Sequence, residues 1–237
     1  MSSSQARFNV LDSYRGLAVV LMILFHFCWD LRDFGFVTFD DRSDFWINFR
    51  ALIVFMFVTA VGWSSYLATH NHQPLRRFIK NQTKVALGAA LISLGTYLAL
   101  PEQWVFFGIL HFIFTAGFIV RPLAGRPVIS CIVGLLLIAT SYFYHIDALT
   151  SHRWFIHTFS APDATLDFIN PLPWLGAVLI GPIFGYLRLH YAKLPQNISV
   201  KALTFLGRHA LLAYLLHQLI LYPLVMGGYF FMALDKQ

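Results

Sequence analysis

A chain of 237 residues that is 58% hydrophobic, 17% aromatic and 12% charged stands apart from soluble proteins, in which about a quarter of residues carry charge. The composition predicts an all-α, polytopic membrane helix bundle folded as a single transmembrane domain over 1–237, and it excludes a separate soluble catalytic domain. The formal charge of +6 falls in short connectors between apolar runs, so anionic lipid accounts for it and no nucleic-acid partner is needed.

The first apolar stretch, Leu11 to Asp33, is long enough to cross a bilayer, yet it carries Asp12, Arg15, His26, Asp30 and Asp33. At about 100° per residue, Arg15 and His26 lie about 20° apart on the helix surface, with Asp30 and Asp33 close on either side of His26. Ionisable residues placed so deep usually face a bundle interior and mark a functional site. Arg7 precedes this run, but no small-residue cleavage site follows it, so the first helix is expected to be retained.

Apolar runs separated by charged or Pro/Gly-bearing connectors predict seven spans, near 13–34, 46–69, 84–100, 104–121, 127–145, 173–190 and 209–232. Pro101-Glu102-Gln103 should turn the third and fourth into an antiparallel hairpin. Gly62, Ser65 and Thr69 form a small-residue stripe suited to helix packing, and Pro182 after Gly181 is expected to kink the sixth span. Cys28 and Cys131 each sit in an apolar segment, which argues against a disulfide or a cysteine metal site.

Twelve of the seventeen basic residues (Arg7, Arg15, Arg76, Arg77, Lys80, Lys84, Arg121, Arg126, Arg188, Lys193, Lys201 and Arg208) fall on one side of this arrangement, and ten of the eleven acids fall on the other. Only Arg32, Arg42, Arg50, Arg153 and Lys236 join the acids. The positive-inside rule then predicts an inside N-terminus and an outside C-terminus. With that topology His26 lies about 16 Å along the axis from Arg15, in the outer half of the membrane. Helices one, two and four would bring His26, Asp30, Arg50 and His111 to a similar level, and helix seven would add His217 and Gln218 from the cytoplasmic side.

Asp30, one turn after His26, could accept a hydrogen bond from the imidazole, fix its tautomer and make it a general base. The same pair could simply hold two helices together. Arg15 could bind a phosphate or carboxylate at the cytoplasmic mouth, or pair with Asp12 while reaching the interface. Arg50 with Asp30 reads as an ion pair or a substrate clamp, and His111 as a second acid/base group or a packing residue. The connector from Ile146 to Leu172, with Asp147, His152, Arg153, Trp154, His157, Asp163 and Asp167, could form a lid or a solvated loop. Neither His152 with His157 nor His70 with His72 has a spacing that suggests a metal site.

Four segments together, LDSYRGLA at 11–18 with the Arg15-x10-His26 spacing, FFGILH at 106–111, PLPWLG at 171–176 and LGRHALLAYLLHQ at 206–218, resemble the catalytic-domain family of heparan-α-glucosaminide N-acetyltransferase. The Arg-x10-His arrangement also resembles the acyltransferase-3 membrane O-acyltransferases, and since 34–46 lacks a histidine, His26 takes its role from that pattern. The likeness covers essentially the whole chain. It implies an integral-membrane acetyltransferase, placed in a bacterial inner membrane, that moves an acetyl group from cytoplasmic acetyl-CoA to a glycan or lipid-linked sugar on the outer face. In that reading His26, Asp30 and His111 are catalytic, Arg15 and Asp12 hold the donor, and Arg50, His217 and Gln218 line the acceptor side. No metal is implied, and a homo-oligomer is compatible with the chain. The rival reading is a small multi-pass transporter or flippase, although one Gly-Pro break and an odd span count suit paired broken helices poorly.

Overall fold

The computed structural model describes residues 8–195 and 197–234. Arg7, Asp235 and Lys236, which entered the charge argument, lie outside the described residues. Among these the fold is all-α: α1 (Asn9–Asp33), α2 (Asp44–His70), α3 (Leu75–Ala99), α4 (Ile109–Leu123), α5 (Pro127–Phe143), α6 (Ala148–Phe159), α7 (Pro171–Tyr186), a 3₁₀ turn at Leu189–Tyr191, α8 (Ile198–Arg208) and α9 (Ala210–Leu234). Each of the seven predicted spans contains one helix, while α6 and α8 arise in stretches read as connectors.

Three helices, α1, α2 and α9, are individually long and apolar enough to cross a membrane. The 17-residue α5 joins α6 through an 88° bend, and α4 and α7 are apolar but shorter. The first half of α3 carries Arg76, Arg77, Lys80 and Lys84, which makes that half of the helix polar. The chain is therefore an integral membrane protein, and the helices at the seven expected positions differ in length.

The chain divides into two compact units. The first takes α1, α2 as far as Phe57, α8 and α9. Here α1 packs on both α8 and α9. Gly16 and Gly207 permit the closest approach: a Cβ on Gly16 would run into the Leu203 carbonyl, and one on Gly207 into the Asp12 carbonyl. Small residues at such crossings let backbones meet and gain van der Waals contact where lipid supplies no hydrophobic drive. A buried 2.7 Å hydrogen bond joins the Ser13 and Thr204 hydroxyls across the same crossing. One turn further along α1, Val19 and Met22 pack on Ile53 of α2, with Phe25, Phe49, Leu206 and Tyr214 around them.

The second unit runs from Val58 to Ala192. Its centre is the α5–α7 contact, where Gly134 and Gly176 face one another and the Ser130 hydroxyl donates to the Leu179 carbonyl at 2.7 Å. Gly62 of α2 closes on the Val178 carbonyl and Pro182 of α7, so the predicted stripe does serve packing there. The helix of α7 continues through Pro182 to Tyr186. The expected α3–α4 pairing forms, with the Gln82 amide donating to the Phe114 carbonyl at 2.8 Å. Both cysteines are free thiols.

Candidate functional site

Within the first unit the polar stripe of α1 meets the polar turn of α9. Asp30 is buried at 3% exposure, and its Oδ1 accepts a 2.7 Å hydrogen bond from the Gln218 amide. The His26 and His217 rings meet edge to face, 4.6 Å between centroids. Hence α1 and α9 bring together four of the residues singled out in the sequence: His26, Asp30, His217 and Gln218.

The hydrogen bond expected between His26 and Asp30 is not the one that forms. His26 Nδ1 lies 2.9 Å from the Met22 carbonyl one turn back. A carbonyl only accepts, so Nδ1 carries the proton and Nε2 holds the lone pair. The helix's own backbone therefore fixes the His26 tautomer, and the carboxylate is engaged from α9. His217 is set in the same way, with Nδ1 on the Tyr214 carbonyl. Both imidazoles thus keep the Nε2 lone pair as an acceptor.

Three side-chain atoms in this cluster are buried without a hydrogen-bond partner among the described residues: Asp30 Oδ2, His217 Nε2 and Gln218 Oε1. Buried polar atoms are nearly always paired, and exceptions concentrate where a ligand, an ion or chemistry makes up the difference. Each of the three is an acceptor in the tautomers just described. The cluster can therefore take up a group that brings N–H or O–H bonds and can accept its proton.

At the other end of α1, Asp12 lies between two guanidinium groups. Arg15 approaches its Oδ1 at 3.6 Å, and the Arg208 Nε donates to its Oδ2 at 3.3 Å. Arg208 also donates to the Asn9 side chain at 2.9 Å. The expected Arg15–Asp12 pairing is present. Arg208, read in the sequence only as one more cytoplasmic charge, reaches Asp12 because the Gly16–Gly207 crossing lays the end of α8 on the first turn of α1. Arg50 is exposed near the start of α2.

His111 belongs to the second unit, where both of its nitrogens are engaged. Its Nδ1 accepts from the Gly108 N–H at 3.3 Å, closing a capping box at the start of α4, and its Nε2 lies 3.0 Å from the Ser93 hydroxyl. Ser93 in turn donates to the Val105 carbonyl at 2.6 Å, so its oxygen accepts from the His111 Nε2–H. Asp167 also caps α4, accepting from the Ile109 N–H at 2.9 Å. In the 146–172 connector, Asp147 caps α6 by accepting from the Thr150 N–H, a bond that holds its carboxyl below the usual carboxylate range. His152 stacks on Phe106 and bonds the Pro162 carbonyl. The connector is thus an ordered cap on the start of α4, a role invisible in sequence because its partners are more than forty residues away. Among the described residues, no three His, Cys, Asp or Glu side chains form a metal-binding group.

No curated protein and no solved structure gives a significant match to the chain. One family model does match, that of the heparan-alpha-glucosaminide N-acetyltransferase catalytic domain, and the matched residues, 7–219, take in both the Asp12–Arg15–Arg208 cluster and the His26–Asp30–His217–Gln218 cluster. The chain therefore belongs to this family of membrane acetyltransferases.

Proposed function

We propose that the protein transfers an acetyl group from acetyl-CoA on the cytoplasmic side to a hydroxyl or amine of a glycan or lipid-linked sugar on the outer face. The observation that carries the reading is the His26–Asp30–His217–Gln218 cluster, in which buried acceptors and a basic imidazole nitrogen converge inside a chain of an acetyltransferase family. His26 Nε2 removes the acceptor's proton as the acceptor attacks the thioester carbon. Asp30 and Gln218, locked to one another, present their free oxygens to the acceptor, and His217 lines the same space. Arg15, with Asp12 beside it, orients the donor's phosphates at the cytoplasmic end, about 16 Å along α1 from the chemistry. Arg50 supplies a cation on the acceptor side. His111, with both nitrogens engaged, holds the start of α4.

The reading includes a topology of seven crossings with the N-terminus inside. Two measurements test it: acetyl-CoA binding to the purified protein in detergent, and the acetyl content of surface glycans from cells with and without the chain. Binding together with protein-dependent acetyl mass supports the reading. Absence of acetyl-CoA binding, or full transfer by His26→Ala, refutes it.

A further inference from the structure

Acetyl transfer needs two proton movements, one away from the acceptor and one onto the departing sulfur. A single imidazole would have to serve two atoms on opposite sides of the thioester carbon. The cluster holds two imidazoles, in contact at 4.6 Å between centroids. Their tautomers are the same: each Nδ1–H is tied to a backbone carbonyl of its own helix, at Met22 for His26 and at Tyr214 for His217. Each ring is therefore held in orientation at Nδ1 and leaves Nε2 for chemistry. His217 Nε2 is buried without a hydrogen-bond partner among the described residues, an arrangement costly to keep for packing alone.

We infer that His217 is a second catalytic residue, the relay that carries the acceptor's proton from His26 to the sulfur of CoA. This rests on the acetyltransferase reading above and adds to it the fate of the proton. As the acceptor X–H attacks, the X–C bond forms, the C–S bond breaks, and the X–H proton passes to His26 Nε2. The rings meet edge to face with no direct hydrogen bond between their Nε2 atoms, so that imidazolium passes the proton through one bridging water to His217 Nε2, and His217 gives it to the thiolate. The balance is acetyl-CoA plus HX giving acetyl-X plus CoA-SH, with both histidines neutral again. Asp30, buried one turn from His26, stabilises the transient positive charge on the pair.

The test uses the full-length protein in detergent, with acetyl-CoA as donor, glucosamine and water as acceptor probes, and CoA thiol release as the readout. His217→Ala should lower kcat by about a hundredfold, the low end for loss of a general acid–base group, while KM for acetyl-CoA stays close to wild type. Added imidazole should restore part of the rate to His217→Ala and none to His217→Gln, which fills the same space without a basic nitrogen. The His26→Ala/His217→Ala double variant should be little slower than the worse single variant, because residues acting as one unit are not additive. His217→Ala with wild-type kcat overturns the inference, and so does a loss confined to KM or a slow variant that imidazole does not rescue. Those results leave the acetyltransferase reading standing as long as His26→Ala is inactive. A wild-type protein that releases no thiol with either probe overturns both.

Discussion

Replacing Gln218 by Leu isolates the contact between α1 and α9. The amide donates a 2.7 Å hydrogen bond to Asp30, which is 3% exposed and whose other carboxylate oxygen is already unpartnered. A hydrogen bond to a charged group contributes about 1.5–3 kcal/mol, although pairs inside membranes average nearer 0.6 and reach about 1.7. Two opposing terms decide the outcome. The bond itself is of modest worth, but its loss leaves both Asp30 oxygens buried and unpaired, and that penalty is the larger. Gln218→Leu should therefore destabilise the protein by about 2 kcal/mol. Asp30→Leu combined with Gln218→Leu removes the donor and the stranded acceptor together, and should cost less than Gln218→Leu alone. Reversible unfolding of the four proteins in mixed detergent closes the double-mutant cycle, with an expected coupling of about 1–2 kcal/mol. Gln218→Leu within experimental error of wild type, or additive losses in the double variant, would refute the argument that Asp30 depends on α9 for its burial.

Arg15→Ala should raise KM for acetyl-CoA about tenfold, the effect of one lost charge-assisted contact, with kcat nearly unchanged; steady-state kinetics decides, and an unchanged KM removes Arg15 from the donor site. Gly207→Val pushes a side chain into the Asp12 carbonyl and should cost about 1–3 kcal/mol through overpacking; a melting temperature equal to wild type would show that the α1–α8 crossing is looser than described. His111→Ala leaves the Gly108 N–H without its acceptor and the Ser93 oxygen without its donor and should lower stability by about 1–2 kcal/mol, with near wild-type kcat in the folded fraction; a collapse of kcat without loss of stability would return His111 to the chemistry.

Helix positions were legible because hydropathy reports them directly. Every apolar run became a helix within about five residues of its expected bounds, except that α3 starts at Leu75 rather than at 84, and the family was legible from four short segments and one spacing. The partners of those residues were not legible. Asp30 was matched to His26 by its i,i+4 spacing, but inside a helix the carbonyl at i−4 competes for the imidazole, and at His26 the Met22 carbonyl has it. Gln218, 188 residues away in sequence, then takes the carboxylate. Arg208 was read as a cytoplasmic charge because nothing local shows that Gly16 and Gly207 cross. The connector at 146–172 was read as a lid or a loop because Asp147 and Asp167 look like solvated acids until the N–H groups they cap are placed. For Asp30, Arg208 and Asp167 the residue type was informative, and the contact depended on a chain segment that periodicity does not reach.

The direction in which α1 faces follows from exposure as well as from charge. Leu17 and Leu24 are 41% and 48% exposed, and on an ideal helix they lie about 160–200° from Arg15 and His26. Buried Met22, at 2% exposure, and buried Asp30 lie on the opposite, protein-facing side. A helix whose polar stripe looked outward would show the reverse, with the leucines packed and the carboxylate exposed. Leu24→Ala and Met22→Ala remove side chains of similar volume two residues apart and separate the two cases. Met22→Ala opens a cavity against Val19 and Ile53 and should cost about 2–5 kcal/mol. It should also lower transfer activity, because the Met22 backbone that holds His26 is anchored by that packing. Leu24→Ala should change stability by less than about 0.5 kcal/mol and leave transfer intact. Equal losses in the two variants, measured by unfolding in detergent, would mean that the back of α1 is also packed against protein and that the stripe does not by itself define the inward face.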